Sequence, residues 1–186
     1  MRLPPSSAII LLNFTLAACV TPPPTFSVSM PGLTVNVGGD LDVWAINMAQ
    51  WAFADAGRLA GRPVEAARAS AAVEYLAVEL NAPRWVAMNP ITQMQMVSAR
   101  AELRQTLGIS PDAASQPVIQ SLLDCANALA AGDEAAAATT LRTPYFTFGA
   151  ERTLGILGAM PFMRTVNIAT MHAGMSDANG MSGWRR

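Results

Sequence analysis

Residues 40–63 read DLDVWAINMAQWAFADAGRLAGRP, and apolar side chains recur in this stretch at the period of a helix. Asp40 is a favourable N-cap residue, and apolar side chains recur after it at helical spacing. We expect a helix from Asp40 to about Leu59, because Gly61 ends the pattern and Pro63 is suited to begin the next helix. This period predicts a helical chain.

The same start and stop signals recur toward the carboxyl end. A second helix is expected from Pro63 to about Leu80, and a third from Asn89-Pro90 to about Leu107. Shorter patterns predict helices over about 115–131, 134–142, 150–159 and 162–172. Because the joints are short, the sequence predicts an all-α domain of five to seven packed helices over residues 40–173. Residues 174–186 are rich in Gly, Ser and Asn and are expected to form a flexible tail.

The segment before residue 40 has a different composition. Residues 20–25 are Pro-rich and are expected to form an extended tether. Residues 26–37 alternate apolar and polar side chains around Pro31-Gly32, which is typical of a short β-hairpin. The turn chemistry of L-Pro-Gly disfavours this hairpin, so an extended tether over 19–39 is the competing interpretation.

Residues 1–18 have the layout of a secretory signal peptide, with a positive start, an apolar stretch and small residues at its end. The apolar stretch is too short to span a membrane. It ends in Leu16-Ala17-Ala18-Cys19, which resembles the lipobox of bacterial lipoproteins. The resemblance implies that Cys19 becomes the first mature residue and carries acyl chains such as palmitate. The protein would then be anchored in a membrane of the cell envelope and would face the periplasm.

Two details of this region leave alternatives open. Val20 follows the cysteine where many lipoproteins retained in the inner membrane have Asp, which favours the outer membrane. Ordinary cleavage after Ala18 is the competing interpretation, with Cys19 either free or paired to Cys125. Cys125 itself falls on the apolar face of a predicted helix and is expected to be a small buried side chain.

Composition excludes several classes of function. The chain is 52% hydrophobic and 13% charged, with a net charge of −1, so it has no electrostatic footprint for a nucleic-acid partner. It contains no lysine, which excludes a phosphate-binding loop and a Schiff-base mechanism.

The residues of common catalytic sites are also missing. His172 is the only histidine, which excludes zinc sites built on several histidines. No glutamate is followed by serine, as the catalytic glutamate of lytic transglycosylases typically is. Glu102, between Arg100 and Arg104, is typical of a solvated helix face. We therefore expect no catalytic residues, no metal and no cofactor.

Two sets of side chains suggest binding instead. The chain holds eleven methionines, and thioethers bind Cu(I), but Met94 and Met96 fall on different sides of a helix. Trp44 and Trp51 share a helix face and, with Trp85, could form an apolar groove for an acyl chain or a partner helix. Packing of these tryptophans in the core is the competing interpretation.

The sequence thus favours a lipid-anchored, non-catalytic interaction or scaffold domain with a protein partner that it does not identify. A binder of a small apolar ligand is the alternative, and a peptidoglycan-active enzyme is the third.

Overall fold

The computed structural model describes residues 28–31 and 40–183, with side chains up to Ser176. These residues form seven α-helices: α1 Leu41–Phe53, α2 Pro63–Glu79, α3 Pro90–Leu107, α4 Ser115–Ala130, α5 Glu134–Thr140, α6 Ala150–Gly158 and α7 Arg164–Gly183. Over this part of the chain the β-structure is limited to a single bridge between Ile109 and Phe146. The prediction of one all-α domain is confirmed.

Local capping chemistry sets most helix boundaries. Side-chain oxygens of Asp40, Asn89 and Asp133 accept backbone N–H groups at the starts of α1, α3 and α5. Gly108 ends α3 with a φ of 69°, a left-handed conformation that glycine adopts readily. The helices α3 and α5 begin and end close to where the sequence predicts, and α1 begins there.

The first helix is shorter than predicted, because α1 ends at Phe53 and not near Leu59. The carboxylate of Asp55 accepts the N–H of Gly57 at 2.6 Å, which starts a 3-10 turn over Ala56–Arg58. An aspartate that caps a new turn competes with continuation of the helix before it.

The helix α2 lies at the centre of the domain and packs against α1, α3, α4 and α6. Its alanines are fully buried: Ala66, Ala67, Ala69, Ala71 and Ala72. Their small side chains allow neighbouring helices to approach on several sides. The helix α7 closes the arrangement by packing between α1 and α3.

The helices α3 and α7 run antiparallel. Gln95 contacts His172 at 2.6 Å, and the carboxylate of Glu102 accepts the N–H of Val166 at 3.1 Å. The bundle therefore has two opposite ends. We call the end where α2 stops and α3 begins the Val86 end, and the end where α3 stops and α7 begins the Phe162 end.

The tail predicted from residue 174 is corrected by the structure, since α7 continues to Gly183. Gly174 faces Gln50 of α1 so closely that a Cβ atom at this position would overlap the Gln50 side chain. Glycine here allows close helix packing, whereas the composition of residues 174–186 predicted a flexible tail.

Several predicted segments lie outside the described residues: the signal peptide 1–18, Cys19, and most of the tether 19–39. Of the hairpin predicted over 26–37, only residues 28–31 are described, and they are not in a strand. Met30 of this segment is buried in the core.

Candidate functional site

The three tryptophans of the predicted groove do not come together. Trp44 is half-buried against the core, and Trp51 is 40% exposed near the end of α1. The indole N–H of Trp85 donates to Asp42 at the start of α1, at 2.8 Å. Because Asp42 and Trp51 are nine residues apart on one helix, about 14 Å separates them along its axis. Trp85 and Trp51 thus lie toward opposite ends of the bundle.

Asp42 is the centre of a buried polar cluster that sequence reasoning missed. Its carboxylate accepts the Tyr75 hydroxyl at 2.5 Å, the Trp85 indole at 2.8 Å and the Arg84 guanidinium at 3.1 Å. Arg84 also pairs with Asp40. Burial, and then the hydrogen bond to Asp42, raise the pKa of Tyr75. These contacts join α1, α2 and the turn before α3. The Asp42 carboxylate accepts its hydrogen bonds from protein donors.

A second buried cluster contradicts the solvated face predicted around Glu102. Arg104 is almost fully buried, and its Nε and Nη2 atoms donate to the fully buried carboxylate of Glu74 at 2.7 and 2.8 Å. Its Nη1 donates to the carbonyls of the loop after α3, at Ser110, Pro111 and Ala113. The prediction was wrong because residues after α3 and the start of α4 cover this face. The hydrogen-bonding groups of Glu74 and Arg104 are thus occupied by each other and by neighbouring protein groups.

The isolated histidine, methionine and cysteine side chains occupy ordinary positions. His172 is exposed, Met94 is 70% exposed, and Met96 is fully buried, so the two thioethers point apart as predicted. Cys125 is fully buried, and burial raises the pKa of its thiol to about 11. Across residues 28–31 and 40–176, no three His, Cys, Asp or Glu side chains lie close enough to hold a metal ion.

The Phe162 end carries exposed aromatic side chains that the core does not use. The guanidinium of Arg58 lies over the ring of Trp51, 5.7 Å from its centroid, and donates to the Trp51 carbonyl at 2.7 Å. Phe162 is 54% exposed in the short link before α7. We call Trp51, Arg58 and Phe162 the aromatic surface. Of its members, Trp51 belongs to the groove that the sequence predicts.

A small cavity lies beside the aromatic surface. Its wall is formed by the end of α1 and the link before α7: Ala52, Phe53, Asp55, Ala56, Leu59, Met160, Pro161, Phe162 and Met163. It has room for about one water molecule. A ligand of drug or acyl-chain size requires several hundred Å³, so this cavity does not serve the groove hypothesis.

No protein-family model, curated protein or solved structure matches this chain. None of the described helices is both long and apolar enough to cross a membrane.

Proposed function

We propose that the chain is a lipid-anchored protein of the bacterial cell envelope whose helical domain faces the periplasm and binds another protein. The lipobox resemblance of residues 16–19 supports the anchor at Cys19. The aromatic surface is the observation that carries the protein contact. The proposed role is that of a non-catalytic interaction or scaffold domain.

The aromatic surface has the composition of an interface hot spot. Trp and Arg are enriched among residues that dominate binding energy, and Phe is enriched at the cores of interfaces. The Trp51 ring is held beneath Arg58, and Phe162 lies in a link whose backbone is anchored by the buried Met160 and Met163. Side chains that are already ordered lose less conformational entropy when a partner binds.

The buried carboxylates support a non-catalytic role. A general acid or base must reach the substrate, directly or through one water molecule. Glu74 is held by Arg104, and Asp42 is held by three donors. Neither is free to transfer a proton to a substrate without breaking the packing that surrounds it.

The anchor predicts complete loss of lipid labelling in the Cys19→Ser variant. Cells that express the wild-type chain should incorporate radiolabelled palmitate into it, because the acyl chains are attached through Cys19. The matched control is Cys125→Ser, which removes the other cysteine and should keep the label. Labelling that persists in Cys19→Ser, or is absent from the wild type, would contradict the anchor.

The aromatic surface predicts position-dependent crosslinking in intact cells. A photoreactive amino acid at Phe162 should yield a discrete adduct, because this side chain would lie in the interface. The same amino acid at Thr139, which is exposed on α5, is the control and should not yield that adduct. Adding Trp51→Ala should abolish the Phe162 adduct, since hot-spot residues act together. Equal adducts from both positions would argue against this surface.

A further inference from the structure

The Val86 end carries exposed aliphatic side chains. Val86 is 84% exposed, Ile91 is 62% exposed and Met94 is 70% exposed. They lie on the turn before α3 and on its first turns. Apolar side chains presented in this way are typical of contact sites, whereas single exposed apolar residues are ordinary. We call these three residues the aliphatic tip.

The backbone that carries the aliphatic tip is held firmly. Trp85 is bound to Asp42, and the side-chain amide of Gln93 donates to the Leu80 carbonyl at 2.7 Å and to the Trp85 carbonyl at 3.3 Å. Met88, two residues after Val86, is buried in the core. Val86 is therefore held outward by a fixed turn.

The chain enters the domain at the same end. The N–H of Val28 donates to the carboxylate of Glu79 at 3.0 Å, and Glu79 is the last residue of α2. Nine residue steps separate Cys19 from Val28. Nine steps span at most about 32 Å when fully extended. The tether leaves the domain at the Val86 end, and the Phe162 end lies farther away by about the 27 Å length of α3. Contact of the Val86 end with the membrane therefore requires the shorter reach.

We propose that Val86, Ile91 and Met94 insert into the interfacial layer of the membrane that holds the Cys19 lipid. This inference rests on the proposed lipid anchor and adds an orientation to it. The aliphatic tip faces the bilayer, and the aromatic surface is presented away from it.

The chemistry of the tip favours lipid over a protein partner. Stable protein interfaces bury about 800 Å² on each partner and are enriched in aromatic anchors, which the tip lacks. Shallow insertion needs few side chains, because the acyl chains supply most of the affinity. Arg84, the basic residue of the turn, forms ion pairs with Asp40 and Asp42. The contact is therefore apolar and does not require anionic lipid.

The test uses the lipidated protein in phosphatidylcholine vesicles that contain a nitroxide-labelled lipid. An environment-sensitive dye is attached to Val86→Cys or, as the matched control, to Phe162→Cys at the opposite end. Cys19 is blocked by lipid and Cys125 is buried, so the introduced thiol takes the dye. We expect blue-shifted emission and several-fold stronger quenching at residue 86 than at residue 162. Adding phosphatidylglycerol should leave the difference unchanged.

Flotation of the vesicles separates the two possible failures. Protein that does not float has no anchor, which overturns the proposed function together with this inference. Protein that floats while residue 86 is quenched no more than residue 162 overturns the inference alone. A blue shift that depends on protein concentration and not on nitroxide lipid would indicate a second copy at the tip, and would also overturn it.

A second variant tests the side chains directly. Val86→Asp with Ile91→Asp places charge at exposed positions, so the fold should persist, and the lipid should still make the protein float. A dye at Met94→Cys should lose its quenching in this background, because ionised groups resist insertion. Unchanged quenching would show that the tip does not make the contact.

Discussion

Replacing Arg104 with methionine is expected to lower the free energy of unfolding by about 3–5 kcal/mol. The variant leaves the fully buried carboxylate of Glu74 without its cation, and three loop carbonyls lose a shared donor. An unpaired buried charge is among the largest single destabilising effects in proteins. Urea unfolding followed by the helical circular dichroism signal measures the change.

Arg142→Met provides the matched control. Arg142 pairs with Glu151 at 3.6 Å, and both side chains are exposed to solvent. Exposed pairs contribute about 0–1 kcal/mol, so this variant should remain close to the wild type. The double variant Glu74→Leu with Arg104→Met should recover part of the lost stability, because it removes both charges. Equal stability of Arg104→Met and Arg142→Met would mean that the buried pair does not hold the fold.

Replacing Gly108 with alanine is expected to destabilise the domain by about 2–4 kcal/mol. Gly108 has a φ of 69°, and an added Cβ would lie 2.7 Å from Cδ1 of Phe148 and closer still to Cγ. The backbone next to Phe148 cannot retreat easily, since both the N–H and the hydroxyl of Thr147 donate to the Gly108 carbonyl, at 2.7 and 2.9 Å. Relief of the overlap therefore requires the partly exposed Phe148 ring to leave its position. Thermal or urea unfolding reports the loss.

Gly132→Ala separates backbone strain from the steric clash. Gly132 has a φ of 75°, but nothing lies within 4 Å of an added Cβ. This variant should therefore lose about 1–2 kcal/mol from the left-handed conformation alone. If Gly108→Ala loses no more than Gly132→Ala, Phe148 moves freely and the predicted clash is wrong.

Much of the helical plan could be predicted from local sequence. Caps such as Asn89-Pro90 and stops such as Gly108 act within a few residues, so they are visible in the sequence. The continuation of α7 beyond residue 174 was missed, and the close packing of Gly174 against Gln50 of α1 was missed with it. The composition of that segment shows nothing of this neighbour.

The buried polar clusters could not be predicted from the local sequence, because their members are far apart in the chain. Glu74 and Arg104 are 30 residues apart, and Asp42 and Trp85 are 43 residues apart. Whether such a residue faces water or the core is decided by helices elsewhere in the chain. Of the aromatic surface, the sequence pointed to Trp51, as part of a groove with Trp44 and Trp85, and it did not point to Phe162 in a non-helical link.

The contacts that hold residues 28–31 against the domain have a mechanical consequence. Besides Val28 at Glu79, Ser29 donates its N–H to the side chain of Gln116 at 2.7 Å, and Met30 is buried. A pulling force on the amino-terminal chain would therefore reach α2 through Glu79 and α4 through Gln116 before it could reach α1. We expect the domain to bear tension from its tether on its central helix and not on its first one.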